Sequence, residues 1–66
     1  MDLGANLKKA REAAGITQKA LAEELGVQQV IISRWEGNKR TPSATTFGDI
    51  CRALGASADD ILELNK

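Results

Sequence analysis

Residues 18–37 read QKALAEELGVQQVIISRWEG and carry the strongest fold signal in the chain. A small residue, Ala22, stands where two helices would cross closely, and Gly26 follows four positions later in the connecting turn. Glycine takes a positive φ at no steric cost, which a tight turn between two helices requires. The apolar residues spaced to lock such helices together are Leu21, Leu25, Val27, Ile32 and Trp35. The pattern predicts a helix–turn–helix over these residues.

The apolar residues outside this stretch also recur three or four positions apart, which is the spacing of one helix face. They are Leu3, Leu7, Ala10 and Ala14 in a first helix, and Phe47, Ile50, Cys51 and Leu54 in a fourth. A fifth, short helix is predicted from the S-x-x-D capping box of Ser57 and Asp60, and its apolar residues are Ile61, Leu62 and Leu64. Gly15 and Gly55 follow the first and fourth helices as stop signals. The sequence therefore predicts an all-α fold, one compact domain of five short helices over residues 1–66, with the helix–turn–helix at helices two and three.

Length and composition limit the function classes. A chain of 66 residues buries only about 60% of the surface that its unfolded form exposes, which leaves no room for a large substrate pocket. With one cysteine, Cys51, and no histidine, we expect no disulfide, no metal and no cofactor. The sequence also lacks a glycine-rich phosphate loop and a setting for an activated nucleophile, which argues against an enzyme. Without a signal peptide or membrane-spanning run, we expect a cytoplasmic protein with no membrane partner and no small-molecule ligand.

Charge is distributed unevenly, although nine basic and nine acidic residues leave the chain neutral. Residues 8–40 hold seven Lys or Arg against four Glu, a net charge of +3. Residues 41–66 hold two basic residues against four acidic ones, a net charge of −2. A basic front half suits a polyanion, but an asymmetry of this size is also common on solvated surfaces.

The third predicted helix has two chemically different sides. If Ile32 and Trp35 point into the core, a rotation of about 100° per residue directs a polar set outward or to the flanks. That set is Gln29, Val30, Ser33 and Arg34. Glutamine pairs with adenine, arginine pairs with guanine, and an apolar side chain contacts the thymine methyl group. The same residues would also form an ordinary solvated face, with Arg34 paired to Glu23 or Glu24.

Four segments carry a resemblance to a known family. They are T-Q-x-x-L-A-x-x-L-G-V at 17–27, I-S-R-W-E at 32–36, K-R-T-P at 39–42 and L-G-A-S-A-D-D-I-L at 54–62. Through them, and over essentially its whole length, the chain resembles the lambda-repressor-like, or XRE-type, helix–turn–helix family. The resemblance implies a sequence-specific regulator that binds double-stranded DNA and is usually a homodimer.

The resemblance also implies roles for individual residues. The residues that would contact base edges are Gln28, Gln29, Val30, Ser33 and Arg34. Those that would contact phosphates are Gln18, Asn38, Lys39 and Arg40. Arg11 and Glu36 would form a partly buried ion pair that ties the first helix to the third.

The chain departs from the family pattern at four places. Gln28 stands where Ser or Thr usually caps the recognition helix, and Ala20 stands where an acid often completes a capping box. Gly37 and Asn38 reverse the more usual Asn-Gly order. Gly48 lies in the middle of the fourth helix, at a cost of about 1 kcal/mol relative to alanine. We therefore expect a weak cap for the third helix and an altered loop after it.

Assembly follows from the small footprint of one recognition helix, which touches only a few base pairs. We expect two copies to bind a palindromic or pseudo-palindromic operator as a homodimer. The candidate dimer interface comprises Ala56, Ala58, Leu62 and Leu64. Occlusion of a promoter would make the protein a repressor, although activation uses the same domain. The alternative is an antitoxin, or another protein-interaction module that also controls its own promoter.

Overall fold

The computed structural model describes residues 2–62, and this part of the chain consists of helices joined by short turns. The helices are α1 (Leu3–Ala13), α2 (Gln18–Leu25), α3 (Gln29–Glu36), α4 (Ala44–Leu54) and α5 (Ala58–Leu62). Within this range there is no β-strand. The predicted all-α fold of five helices, with a helix–turn–helix at α2 and α3, is confirmed.

Side-chain caps start four of the helices. Their oxygens each accept a hydrogen bond from the backbone N–H three residues later, and they belong to Asp2, Thr17, Ser43 and Ser57. The exception is α3, whose N-cap residue Gln28 makes no side-chain capping bond, as expected from glutamine at this position. Ala14 was expected to extend the apolar face of the first helix, but it is the exposed C-cap of α1.

The turn between α2 and α3 depends on Gly26, which has φ 71° and ψ 31°. The N–H of Val27 closes the turn by donating to the carbonyl of Ala22 at 3.0 Å. A residue with a Cβ would be strained in this left-handed conformation, so the glycine is required by the backbone.

The core lies where α2 packs on α3, with α1 covering α3 and α5, and α4 packing on α2 and α5. Its buried side chains are Leu7, Leu21, Ala22, Ile32, Trp35, Ile50, Leu54 and Ile61. Leu25 and Val27, the other two residues predicted to lock the helix pair, are half-buried against this core. Burial of one side of α3 leaves its opposite side free for a ligand.

Two buried residues of α1 belong to no apolar pattern. Gly4 lies against the end of α3, so closely that an added Cβ would stand 2.7 Å from the carbonyl oxygen of Trp35. Asn6 is 0% exposed, and neither atom of its amide has a hydrogen-bond partner among residues 2–62. Asn6 is thus a polar side chain inside the contact between α1 and the other helices.

Candidate nucleic-acid interface

The exposed side of α3 carries the side chains predicted to meet bases. Ile32 and Trp35 are 1% and 6% exposed, whereas Val30 is 47% exposed. All five predicted residues are exposed on α3 or at its N-cap: Gln28, Gln29, Val30, Ser33 and Arg34. The helix therefore presents amide, methyl, hydroxyl and guanidinium groups to solvent along one side.

The loop after α3 carries two more cations. Lys39 and Arg40 are both exposed. The N–H of Lys39 donates to the carbonyl of Arg34 at 2.9 Å, and the N–H of Arg40 donates to the same carbonyl at 3.3 Å. Because both bonds end in the last turn of α3, the two residues are anchored beside Arg34. The backbone of both residues is thus fixed at the end of the helix that carries Arg34.

Asn38 is bound to α1 by its side chain. Its φ is 59°, so Asn38, and not Gly37 with φ −89°, takes the left-handed position in this loop. Its Oδ1 accepts a hydrogen bond from the N–H of Gly4 at 3.0 Å, and its Nδ2 donates to the Asp2 carboxylate at 2.7 Å. The predicted phosphate contact of Asn38 stays a prediction, while the structure gives the side chain a role inside the protein.

The carboxylate of Asp2 is stabilised in its charged form by these contacts. Its pKa is lowered from the ordinary value mainly because Asn38 donates a hydrogen bond to it, with a second contribution from the N–H of Ala5. A depressed pKa in the folded chain stabilises the fold when the group is ionised. This contribution is present at neutral pH and is lost as the pH falls through the lowered pKa.

Arg11 and Glu36 form an enclosed ion pair between α1 and α3. The Arg11 Nε and Nη2 atoms donate to the Glu36 carboxylate at 2.6 and 3.1 Å, and the two side chains are 10% and 6% exposed. Arg11 Nη1 also donates to the carbonyl of Ile16 at 2.8 Å. The pKa of Arg11 is raised, mainly by its hydrogen bond to Glu36. The ion pair therefore favours the charged form of the guanidinium.

Gln18, the first residue of α2, joins the same network. Its Nε2 donates to Glu36 Oε1 at 3.0 Å, and the residue is half-buried. One carboxylate thus connects α1, the start of α2 and the end of α3. One hydrogen of the Gln18 amide is used in this bond, so its second hydrogen is the donor available for the predicted phosphate contact.

The residues predicted to form a dimer interface lie around α5. Ala58 is exposed, Ala56 is half-buried and Leu62 is 38% exposed, while Leu64 lies outside the described residues. Leu62 and Val30 are the large hydrophobic side chains that residues 2–62 expose. A groove of about 230 Å³ between α1, α4 and α5 runs past Ala56. Apolar surface is therefore available at this end of the molecule.

The part of the chain that is described gives little support for a metal site, a membrane-spanning helix or a reactive cysteine. No cluster of three or more His, Cys, Asp or Glu residues there has an arrangement suited to a metal ion. None of the five helices combines the length and apolar character needed to cross a membrane. The Cys51 thiol is half-buried, and burial raises its pKa, which disfavours the reactive thiolate.

Comparison with known proteins identifies a matching family model and several related sequences. A family model described as helix-turn-helix matches residues 7–61. The HTH-type transcriptional regulator ImmR of Bacillus subtilis (strain 168) is 37% identical over 62 residues, which cover 94% of this chain and 49% of ImmR. Antitoxin HipB of Escherichia coli is 39% identical over 51 residues, which cover 77% of this chain and 54% of HipB. The chain thus spans about half the length of each of these relatives.

A solved structure shows the same likeness in three dimensions. The clp gene regulator ClgR from C. glutamicum superimposes with a TM-score of 0.88 at 36% identity, over 92% of this chain and 78% of that chain. The helices α2 and α3 lie entirely within the range of the family model. From its fold, its sequence and its relatives, the chain belongs to the XRE-type, lambda-repressor-like helix–turn–helix family of transcriptional regulators.

Proposed function

We propose that this chain is a sequence-specific repressor that binds a palindromic or pseudo-palindromic operator as a homodimer, with α3 in the major groove. The observation that carries the proposal is the exposed side of α3, where side chains suited to base edges stand beside Lys39 and Arg40. An α-helix fits the major groove, and each base pair presents a distinct pattern of groups there. We assign the protein to the cytoplasm and expect no enzymatic activity, cofactor or small-molecule ligand.

Each exposed side chain of α3 has a matching base edge. The Arg34 guanidinium offers parallel donors to guanine O6 and N7, and the amides of Gln28 and Gln29 suit adenine N6 and N7. Val30 supplies an apolar surface for a thymine methyl group, and the Ser33 hydroxyl either donates or accepts. Together these groups give the helix a means of reading a mixed sequence.

Contacts to the DNA backbone would come chiefly from the loop after α3. Lys39 and Arg40 are exposed and anchored at the end of the helix, so both can reach phosphate oxygens without moving the core. Gln18 and Asn38 already donate hydrogen bonds within the protein. We therefore assign the main phosphate contacts to Lys39 and Arg40, and supporting contacts to Gln18 and Asn38.

Substitution of Arg34 and Lys39 should separate base reading from backbone contact. On an operator that the wild-type chain has selected from a randomised duplex pool, Arg34→Ala should weaken binding by about 1–3 kcal/mol and relax the preference at one base pair. Lys39→Ala should weaken binding to the operator and to a scrambled duplex alike, and should reduce the salt slope by about one unit. Fluorescence anisotropy titrations at several salt concentrations measure both effects. Equal losses on the two duplexes for Arg34→Ala would show that Arg34 reads no base.

A homodimer would double the number of base pairs that are read. Two α3 helices related by a two-fold axis would lie about 34 Å apart, in successive major grooves on one side of the DNA. The proposed contact surface comprises Ala56, Ala58, Leu62 and Leu64. Small residues allow close approach there, and Leu62 is exposed in the single chain. Since these side chains are few, the free dimer should be weak and should tighten on an operator that holds both copies.

Leu62→Asp should abolish self-association, because it places a charge in an apolar contact. Sedimentation velocity of the free chain, and of the chain with the selected operator, measures the effect. Val30→Asp is the matched control, since Val30 is the other exposed large hydrophobic residue within residues 2–62. That variant should still self-associate but lose operator binding. A folded Leu62→Asp chain that dimerises normally would exclude this interface, and full affinity of a monomer for one half-site would exclude the dimer.

An antitoxin that also controls its own promoter is the second candidate function. The 39% identity to antitoxin HipB favours it. Both candidates include operator binding, so DNA assays do not separate them. Deletion of the gene does, because loss of a simple repressor raises transcription of its target, whereas loss of an antitoxin releases a toxin and arrests growth. Growth without arrest after deletion would exclude the antitoxin.

A further inference from the structure

Three residues join the start of α1 to the loop after α3. The N–H of Gly4 donates to Asn38 Oδ1 at 3.0 Å, and Asn38 Nδ2 donates to Asp2 Oδ1 at 2.7 Å. The same Asp2 oxygen accepts a hydrogen bond from the N–H of Ala5 at 2.9 Å, which caps α1. The set formed by Asp2, Gly4 and Asn38 is called the N-terminal clasp below.

The N-terminal clasp holds a residue whose backbone directs the loop. Asn38 has φ 59°, a conformation that asparagine tolerates better than most residues. Its own N–H donates to the carbonyl of Trp35 at 3.2 Å, and the next N–H, of Lys39, donates to Arg34 at 2.9 Å. Asn38 is thus held by α1 through its side chain and by α3 through its backbone. Both attachments determine the direction in which Lys39 and Arg40 leave α3.

The position of Gly4 leaves the clasp little freedom to rearrange. A Cβ at this residue would stand 2.8 Å from Asn38 Oδ1 and 2.7 Å from the Trp35 carbonyl oxygen. The enclosed pair of Arg11 and Glu36 joins the same two helices about two turns further along α1. Because α1 and α3 are already in close contact here, the clasp attaches the loop to a closely packed junction.

We propose that the N-terminal clasp is a positioning device for phosphate binding: Asp2 and Gly4 hold Asn38 so that Lys39 and Arg40 are directed at the DNA backbone before DNA arrives. The inference rests on the proposed function, because it concerns the affinity of the same interface. A loop that is already ordered by folding loses less conformational entropy on binding, and its affinity is higher for that reason. Asp2 and Gly4 are therefore positioning residues that act through Asn38.

Variants of Asp2 can separate the positioning of the loop from a direct electrostatic effect of the carboxylate on DNA. A carboxylate beside a phosphate-binding loop repels DNA, so its charge by itself lowers affinity. Its hydrogen bonds to Ala5 and Asn38 act in the opposite direction by holding the loop. Asp2→Asn keeps an oxygen for both N–H donors and removes the charge, whereas Asp2→Ala removes both. Positioning predicts weaker binding for Asp2→Ala and binding at least as tight as wild type for Asp2→Asn.

Asn38→Gly tests the clasp from the loop side, because glycine keeps the positive φ and removes the side-chain hydrogen bonds, together with the supporting phosphate contact proposed for Asn38. Asp2→Ala breaks the clasp and leaves that contact in place. Binding is measured on a short duplex of arbitrary sequence, at low salt and well below the Tm of each variant, so that all chains are folded. We expect the Kd to rise about tenfold for Asn38→Gly and similarly for Asp2→Ala. An unchanged Kd with a lowered Tm would overturn the proposal, since the clasp would then contribute only stability. Equal tightening by Asp2→Ala and Asp2→Asn would overturn it too, because charge alone would explain the result.

A double-mutant cycle with Lys39→Ala connects the effect to the phosphate ligand. If the clasp acts by directing Lys39, Asn38→Gly should cost less in the Lys39→Ala background than in the wild-type chain. Equal costs in the two backgrounds would show that the clasp does not act through Lys39 and would overturn that step.

Amide hydrogen exchange tests the clasp without DNA. The N–H groups of Lys39 and Arg40 should exchange faster in Asp2→Ala than in the wild-type chain, because Asn38 then loses one of its two side-chain hydrogen bonds to the start of α1. Unchanged exchange would overturn the clasp itself. Accelerated exchange in a chain whose wild type binds no duplex would instead overturn the proposed function, while establishing that the clasp orders the loop.

Discussion

Replacing Glu36 with alanine should lower the free energy of unfolding by about 3–5 kcal/mol, as expected when one partner of an enclosed ion pair is removed. Within residues 2–62 the substitution leaves the Arg11 guanidinium, whose side chain is 10% exposed, hydrogen-bonded only to the Ile16 carbonyl. It also removes the acceptor of the Gln18 amide. The whole stability of a chain of 66 residues is roughly 3–10 kcal/mol, so this loss is a large fraction of it.

Urea titrations followed by circular dichroism test the coupling between the two partners. Arg11→Ala should also destabilise strongly, and the double variant should lose less than the sum of the single losses. The exposed pair of Asp49 and Arg52 provides the control, since its side chains are 47% and 74% exposed. Arg52→Ala should change the free energy of unfolding by about 0.5 kcal/mol or less. Strict additivity at Arg11 and Glu36 would contradict the coupling.

Replacing Gly4 with alanine should lower the free energy of unfolding by about 3 kcal/mol, the upper end of the usual cost of overpacking. The added Cβ would meet the carbonyl oxygens of Trp35 and Glu36, which are backbone atoms of α3 and cannot rotate away. The helices α1 and α3 would have to separate, and the hydrogen bond from Gly4 to Asn38 would lengthen. Thermal unfolding measures the loss as a lowered Tm.

Gly48→Ala is the matched control for the same substitution inside a helix. A Cβ at Gly48, in the middle of α4, would meet only the end of the flexible Arg52 side chain, at 3.8 Å. Alanine favours the helix over glycine by about 1 kcal/mol, so this variant should be more stable than the wild-type chain. The two substitutions should therefore have opposite signs. Destabilisation by both to the same extent would show that the close approach at Gly4 has no special cost.

The substitutions Glu36→Ala and Gly4→Ala both act on the junction between α1 and α3. This junction also orients the side of α3 that is proposed to bind DNA. Glu36 is the last residue of α3 and Gly4 lies beneath the same end of that helix. A variant that remains folded but loosens this junction should weaken DNA binding, because α3 and the loop at residues 37–40 are positioned from it. Stability and proposed function thus depend on the same contacts.

Local patterns in the sequence were sufficient to predict the helices and the helix–turn–helix. Apolar spacing identifies the buried side of α3 through Ile32 and Trp35, and the opposite side follows from the rotation of the helix. Gly26 marks a turn because the requirement for positive φ concerns one residue. Apolar spacing and turn glycines are local signals, because each involves residues within a few positions of the helix or turn that it specifies. The resemblance to a known family then assigned the candidate contacts of Arg34 and Lys39.

Contacts between distant segments required the tertiary structure. Gly4 and Asn38 are 34 positions apart, and neither has a neighbour in the sequence that indicates the other. An exposed asparagine in a basic loop is consistent with phosphate contact, yet its side chain is bound to α1 because the ends of two helices meet there. The burial of Asn6 and the hydrogen bond from Gln18 to Glu36 also result from the way the helices pack against one another. Periodicity reports which side of a helix is apolar, whereas the partners of a polar side chain depend on how closely the helices approach one another, and that distance is a property of the packed core.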